Sequence, residues 1–168
     1  MLKIYKSGDG KLYNYGEMIS LIATYIKNDI TSDYEITIGT DSQSHINTKI
    51  VEVFAIRRIG KGGIFFYKTE TVNNFLTLRD KIYEETNRSL RNARGFMDSV
   101  SNELFSYSPP IFLDELNVQF KIHCDVGHNG ATESLIKEIV SWVHAMGYEV
   151  AIKPESYTSS GIADKFSK

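Results

Sequence analysis

The sequence predicts an α/β fold built on one mixed five-stranded sheet, and three observations predict it. Five runs rich in β-branched and aromatic residues are separated by helical stretches and glycine-containing turns. The first three runs follow one another without an intervening helix, so they form an antiparallel meander. The fourth and fifth flank a helix, which requires a parallel pair with a right-handed crossover. Helices covering the sheet complete the assembly.

The elements follow in order. Asn14, with Glu17 three residues on, has the pattern of a capping box. Met18, Leu21, Ile22, Tyr25 and Ile26 recur at helical spacing after it, ending near Asn28-Asp29. The first strand spans 34–41, where Tyr34, Ile36 and Ile38 alternate with Glu35, Thr37 and Gly39. Residues 50–58 and 64–72 form a hairpin about Gly60-Lys61-Gly62-Gly63. From about 74 to 105 the pattern is helical: Leu78, Ile82, Leu90, Ala93, Met97, Val100 and Leu104 form a stripe, with Gly95 positioned to divide it. Ser108-Pro109-Pro110 ends that stretch. A fourth strand covers 116–125. Asn129 or Thr132 then caps a helix with Leu135, Ile139, Trp142, Val143 and Met146 on its core face and Gly147 at its end. A fifth strand covers 148–153, and Ser159 or Ser160 caps a short final helix holding Asp164.

The chain has 168 residues, which suits one domain over 1–168, with 1–33 an N-terminal helical extension packed on it. The net charge of −2 supplies no global field for nucleic acid, so any such binding needs a local patch or metal ions. Cys124 is the only cysteine, which excludes an intrachain disulfide and fits a reducing compartment. No apolar run reaches the roughly 18 residues of a membrane span. The first residues lack the apolar region of a signal peptide. The expectation is a cytoplasmic protein with no membrane partner.

Four carboxylates stand out by position. Asp41 sits where the first strand turns polar, in Gly39-Thr40-Asp41-Ser42-Gln43; its ordinary role would be a loop-starting Asp bonded to its own backbone. Asp125 sits at the same kind of junction on the fourth strand, in His123-Cys124-Asp125-Val126-Gly127. If those strands are parallel neighbours, both acids lie at one sheet edge. Glu85 shares a helix face with Leu78, Ile82 and Ser89, and a Glu turned inward needs a metal or a cation. Glu84 is its rival on that helix, and either acid can pair with Lys81 or Arg88. Asp164, on the last helix, also reads as an exposed acid favourable to the helix dipole. Convergent carboxylates suit two-metal phosphodiester cleavage, with metals roughly 3.5–4 Å apart. Lys153 is a candidate phosphate contact and equally a surface lysine.

As a set, these residues resemble an RNase H-like site. The segments Gly39–Gln43, Leu78–Thr86, His123–Gly127, Ile152–Tyr157 and Ala163–Lys165 resemble the bacterial YkuK-type predicted RNase H-like family, from about Tyr34 onward. The resemblance implies strand order 3-2-1-4-5 and a Mg²⁺- or Mn²⁺-dependent site of Asp41, Glu85, Asp125 and Asp164. It implies a nuclease acting on RNA, RNA–DNA hybrid or DNA. Gln43, His123 and Lys153 are candidate substrate contacts. Two other readings stand beside this one. The first is a catalytically inactive module of the same fold that binds nucleic acid or protein. The second is a zinc site using His123-x-Asp125-x-x-His128, whose spacing matches no strong zinc motif.

Overall fold

The computed structural model describes residues 2–168. Its strands are β1 (Ile4–Ser7), β2 (Leu12–Asn14), β3 (Tyr34–Ser44), β4 (Thr48–Arg58), β5 (Gly63–Val72), β6 (Val118–His123) and β7 (Glu149–Ala151). Its helices are α1 (Tyr15–Lys27), α2 (Leu78–Ala93), α3 (Phe96–Phe105), α4 (Ile136–Ala145) and α5 (Asp164–Ser167), the last preceded by a π-helical turn over Thr158–Ala163. No helix is long and apolar enough to cross a membrane, among the described residues.

One seven-stranded sheet runs β2-β1-β5-β4-β3-β6-β7. Its β5-β4-β3-β6-β7 portion is the predicted five-stranded order, antiparallel through β3–β5 and parallel from β3 through β6 to β7. The two added strands correct the expected count. Residues 1–33 are more than a helical extension: β1 and β2 form a hairpin that joins the sheet beside β5. These strands, of four and three residues, are too short to show alternation. Tyr5 anchors the hairpin, buried edge-on against Phe54.

The capping box forms as the sequence predicts. Glu17 N–H donates to Asn14 Oδ1 at 2.8 Å, and Asn14 N–H donates back to Glu17. Gly95, at φ 74°, divides the long helical stretch into α2 and α3. Leu78 is exposed, so the apolar stripe of α2 begins at Ile82. The proposed caps further on are corrected. Neither Asn129 nor Thr132 caps α4; Thr132 Oγ1 accepts from Gly127 N–H instead. Ser159 and Ser160 lie inside the π turn, where both hydroxyls donate to Ser156 O.

Strand period two decides what each face of the sheet meets. Ile36, Ile38, Phe54, Ile56 and Ile122 face α1–α4 and form the main core. Val51, Val53 and Ala55 face the C-terminal segment, packing with Ala163, Ile162 and Phe166. β3 is therefore sandwiched. Thr40 and Ser42 reach α2, while Thr37, Gly39 and Asp41 reach the C-terminal segment.

Candidate active site

The site forms where β3 outruns its parallel neighbour. β6 pairs with β3 only as far as Gly39↔His123, and two more residues of that register would set Asp125 beside Asp41. β3 itself continues to Ser44 as half of a hairpin with β4, so Asp41 lies within the strand and not at its end. It is consequently buried, at 3% exposure.

Gly39 permits the approach of the C-terminal segment. A Cβ there would stand 2.7 Å from the backbone nitrogen of Ser159. Two polar contacts fix the same segment: the Thr37 and Thr158 hydroxyls meet at 2.6 Å, and Thr158 N–H donates to His123 Nδ1 at 3.2 Å. The segment thus brings Ser167, whose hydroxyl donates to Asp41 Oδ2 at 2.8 Å, and Asp164.

Glu85 approaches from the other face. Thr77 caps α2 by accepting Asp80 N–H, and the Thr40–Ser89 hydroxyl contact at 2.8 Å ties the helix to β3. Ser42 then donates to Glu85 Oε1 at 2.6 Å. Glu85 is only 4% exposed. Glu84 points away and pairs with Arg88 at 2.8 Å, so Glu85 is the helix carboxylate beside Asp41.

The electrostatics follow from burial and crowding. Burial, with the charges of Asp125 and Asp164 added, raises Asp41 to about 6 despite the Ser167 hydrogen bond. Burial, with Asp41 and Asp125 added, raises Glu85 to about 8 against the pull of Lys81 and Ser42. Asp125 Oδ1 is buried and accepts no hydrogen bond. Lys153 Nζ lies 2.9 Å from it, close enough for an ion pair but without hydrogen-bond alignment. Gly127 makes room for this lysine, since a Cβ there would meet Lys153 Cβ at 3.0 Å.

Whether a divalent cation fits is decided by donors and by their present arrangement. The donors are carboxylate oxygens, the set that Mg²⁺ and Mn²⁺ prefer, and one is buried without a hydrogen bond. As the side chains stand, no three His, Cys, Asp or Glu residues are gathered as a chelating group, among the described residues. Ser167, Ser42, Lys153 and Lys168 hold Asp41, Glu85, Asp125 and Asp164 respectively. The donor chemistry fits a hard cation, and the ammonium groups of Lys153 and Lys168 are what such a cation would displace.

The remaining candidates separate. His123 is corrected: it is 2% exposed, its ring meets Tyr157 edge-on and its Nδ1 is occupied, so it positions the C-terminal segment and presents nothing to a substrate. Burial lowers it to about 4, consistent with a neutral acceptor. His45 and His128 are exposed on separate loops, which leaves the zinc pattern without a gathered site. Gln43 is half-buried on the same face of β3 as Asp41. Lys153 faces Asp125. Lys81 pairs with Glu85 as the sequence allows, while two other partners of the carboxylates, Ser42 and Ser167, escape a reading of the sequence. Only Ser42 carries a signal: it shares strand parity with Thr40, on the side that meets α2.

A mixed sheet of this order, carrying an acid within β3 and another after β6, defines the RNase H-like class. The chain belongs to the Ribonuclease H-like family, which matches residues 17–168. Among curated proteins it is similar to the uncharacterized protein YkuK of Bacillus subtilis (strain 168), 31% identical over 156 residues, covering 92% of this chain and 91% of that protein. No solved structure gives a significant match.

Proposed function

We propose that the chain is a divalent-metal-dependent nuclease that hydrolyses phosphodiester bonds in RNA, RNA–DNA hybrid or DNA. The observation that carries this reading is the crowding of Asp41, Glu85, Asp125 and Asp164, with Asp41 and Glu85 buried at a cost in ionisation. A protein has no structural use for acids pressed together and pushed toward their neutral forms, and such groups cluster at functional sites. The family match supports the same reading.

Asp41, Glu85, Asp125 and Asp164 would hold Mg²⁺ or Mn²⁺. The bound cations supply an activated water and stabilisation of the leaving oxygen. Asp41 and Glu85 would hold such a cation as carboxylates, its charge offsetting the burial and crowding that raise them. Ser167 and Ser42 keep the two carboxylates oriented from opposite faces of β3. Lys153, beside Asp125, and Gln43, on the Asp41 face of β3, would contact the substrate.

The test is hydrolysis of labelled RNA, hybrid and DNA with Mg²⁺ or Mn²⁺, beside Asp41→Asn and Asp125→Asn. The expected outcome is cleavage by the wild type and a loss of at least about a hundredfold in each variant. Equal activity in all three proteins defeats the mechanism.

One observation favours a binding module of the same fold instead. Lysines stand against three of the four acids: Lys153 on Asp125, Lys168 on Asp164 and Lys81 on Glu85. That reading expects nucleic-acid binding that survives Asp41→Asn, with no metal-dependent turnover.

A further inference from the structure

A second feature lies on the same side of the sheet as Glu85, toward the far end of α2. A cleft of about 380 Å³ opens there between α2, α3, β4 and β1. Lys3, Arg91 and Arg94 line it, and no carboxylate does. Its floor is rigid: Tyr5 packs edge-on against Phe54 and tilts against Tyr15. Asn92 and Ser99 also line it, but both are bonded within the protein, Asn92 to Glu52 and Ser99 to Gly95 O. Arg91 pairs with one carboxylate, Glu84 at 3.5 Å; Lys3 and Arg94 form no ion pair among the described residues. The neighbouring cleft between α2, α3 and β6 has the opposite character, lined by Asp98 and Glu149 without a cation.

The cationic cleft lies along α2 from the carboxylates. Arg91, in the last turn of α2, and Arg94, just past its end, follow Glu85 by six and nine residues and are exposed, whereas the intervening Arg88 is buried and held by Glu84 and Glu70. In a chain of net charge −2 this concentration has to be local. From Glu85 to Arg91 and Arg94 the axial distance is about 9–14 Å, at ~1.5 Å per helical residue. A duplex strand advancing ~3.4 Å per nucleotide covers that span in about three to four nucleotides.

We propose that this cleft is a phosphate site that grips the nucleic-acid backbone three to four nucleotides from the carboxylates. Arg91, Arg94 and Lys3 contact phosphate oxygens, and the site sets the register of the strand without reading its sequence. The proposal rests on the nucleic-acid reading above, and its test separates the two.

Binding of labelled 4- and 16-nucleotide strands and a 16-base-pair hybrid is followed by fluorescence anisotropy in EDTA, with full-length protein at 50 and 200 mM salt. Wild type is compared with Arg91→Gln/Arg94→Gln, whose exposed side chains leave the core untouched. The long probes are expected to bind the double variant more weakly. Each lost phosphate contact should lessen the fall in affinity between the two salts by about threefold. The 4-nucleotide probe, too short to span from the carboxylates to the cleft, should lose less affinity in the variant than the long probes. Long probes that bind both proteins with equal affinity and salt slope overturn the proposal and leave the nucleic-acid reading intact. A second arm titrates inorganic phosphate and follows backbone amide resonances of residues 91–99. Phosphate shifts abolished in the variant, with no nucleic acid bound by either protein, keep an anion site but overturn the strand placement and the substrate reading together. No response to phosphate or nucleic acid overturns both.

Discussion

Two buried glutamates flank α2, and their surroundings differ in kind. Glu52 on β4 and Glu85 on α2 are both 4% exposed. Glu52 receives Asn92 Nδ2 at 2.8 Å, with Arg88 at 3.5 Å and Lys68 at 3.6 Å. Arg88 is in turn held by Glu70 and Glu84, so each acid of the cluster faces a cation. Glu85 has one serine hydroxyl and a lysine at 3.8 Å, and it faces other acids. The first arrangement holds β4, β5 and α2 together. The second costs ionisation energy, and that cost indicates a ligand that would repay it.

The largest expected effect breaks the satisfied cluster. Glu52→Ala strands Lys68 and removes an Arg88 partner, and should lower unfolding free energy by about 3 kcal/mol in urea denaturation. Glu85→Gln, measured without divalent ions, should leave stability unchanged or raise it. Equal losses in the two variants would erase the distinction between the clusters.

Gly39→Ala should come next, at about 1–3 kcal/mol, because its methyl group would press on the Ser159 backbone. Hydrogen exchange should show the Thr158–Ser167 segment loosened while α2 stays protected.

A pH series sharpens the comparison further. Glu85 is raised to about 8, so the folded state keeps a proton that the unfolded state has released. Its contribution is present in full below the unfolded value near 4.5 and is lost as pH rises through 8. His123, lowered to about 4, acts oppositely and only below about 6.5. Between pH 6.5 and 8 the metal-free protein should therefore lose about 1–2 kcal/mol, at most 1.4 kcal/mol per pH unit for one proton. Glu85→Gln should flatten that slope in thermal melts.

Ser167→Ala should give the smallest change, about 1 kcal/mol or less, since it removes one hydrogen bond to Asp41. The titration of Asp41, followed by carboxyl NMR, should move upward in this variant.

Much of this was legible in sequence, for identifiable reasons. β3 alternates in sequence, β4 and β5 are rich in β-branched and aromatic residues, and the glycine turn at 60–63 joins the latter two. Asp41 and Asp125 were legible because each ends or interrupts an apolar run. Glu85 was separable from Glu84 only by helix phase, which local spacing leaves ambiguous. The β1–β2 hairpin was not legible, because its seven strand residues carry too little alternation. Nor were Ser167 and Lys153 as partners of Asp41 and Asp125, since those contacts come from tertiary packing over Gly39 and Gly127. Gly39 inside a strand was the one local sign of that close approach.

The most direct test of the central claim is Mn²⁺ binding, measured by calorimetry on wild type, Asp41→Asn and Asn92→Ala. The expected result is binding by wild type and Asn92→Ala, whose change touches only the satisfied cluster, and loss of binding in Asp41→Asn. Undiminished Mn²⁺ binding by Asp41→Asn, or none by the wild type, would contradict a metal site built on Asp41.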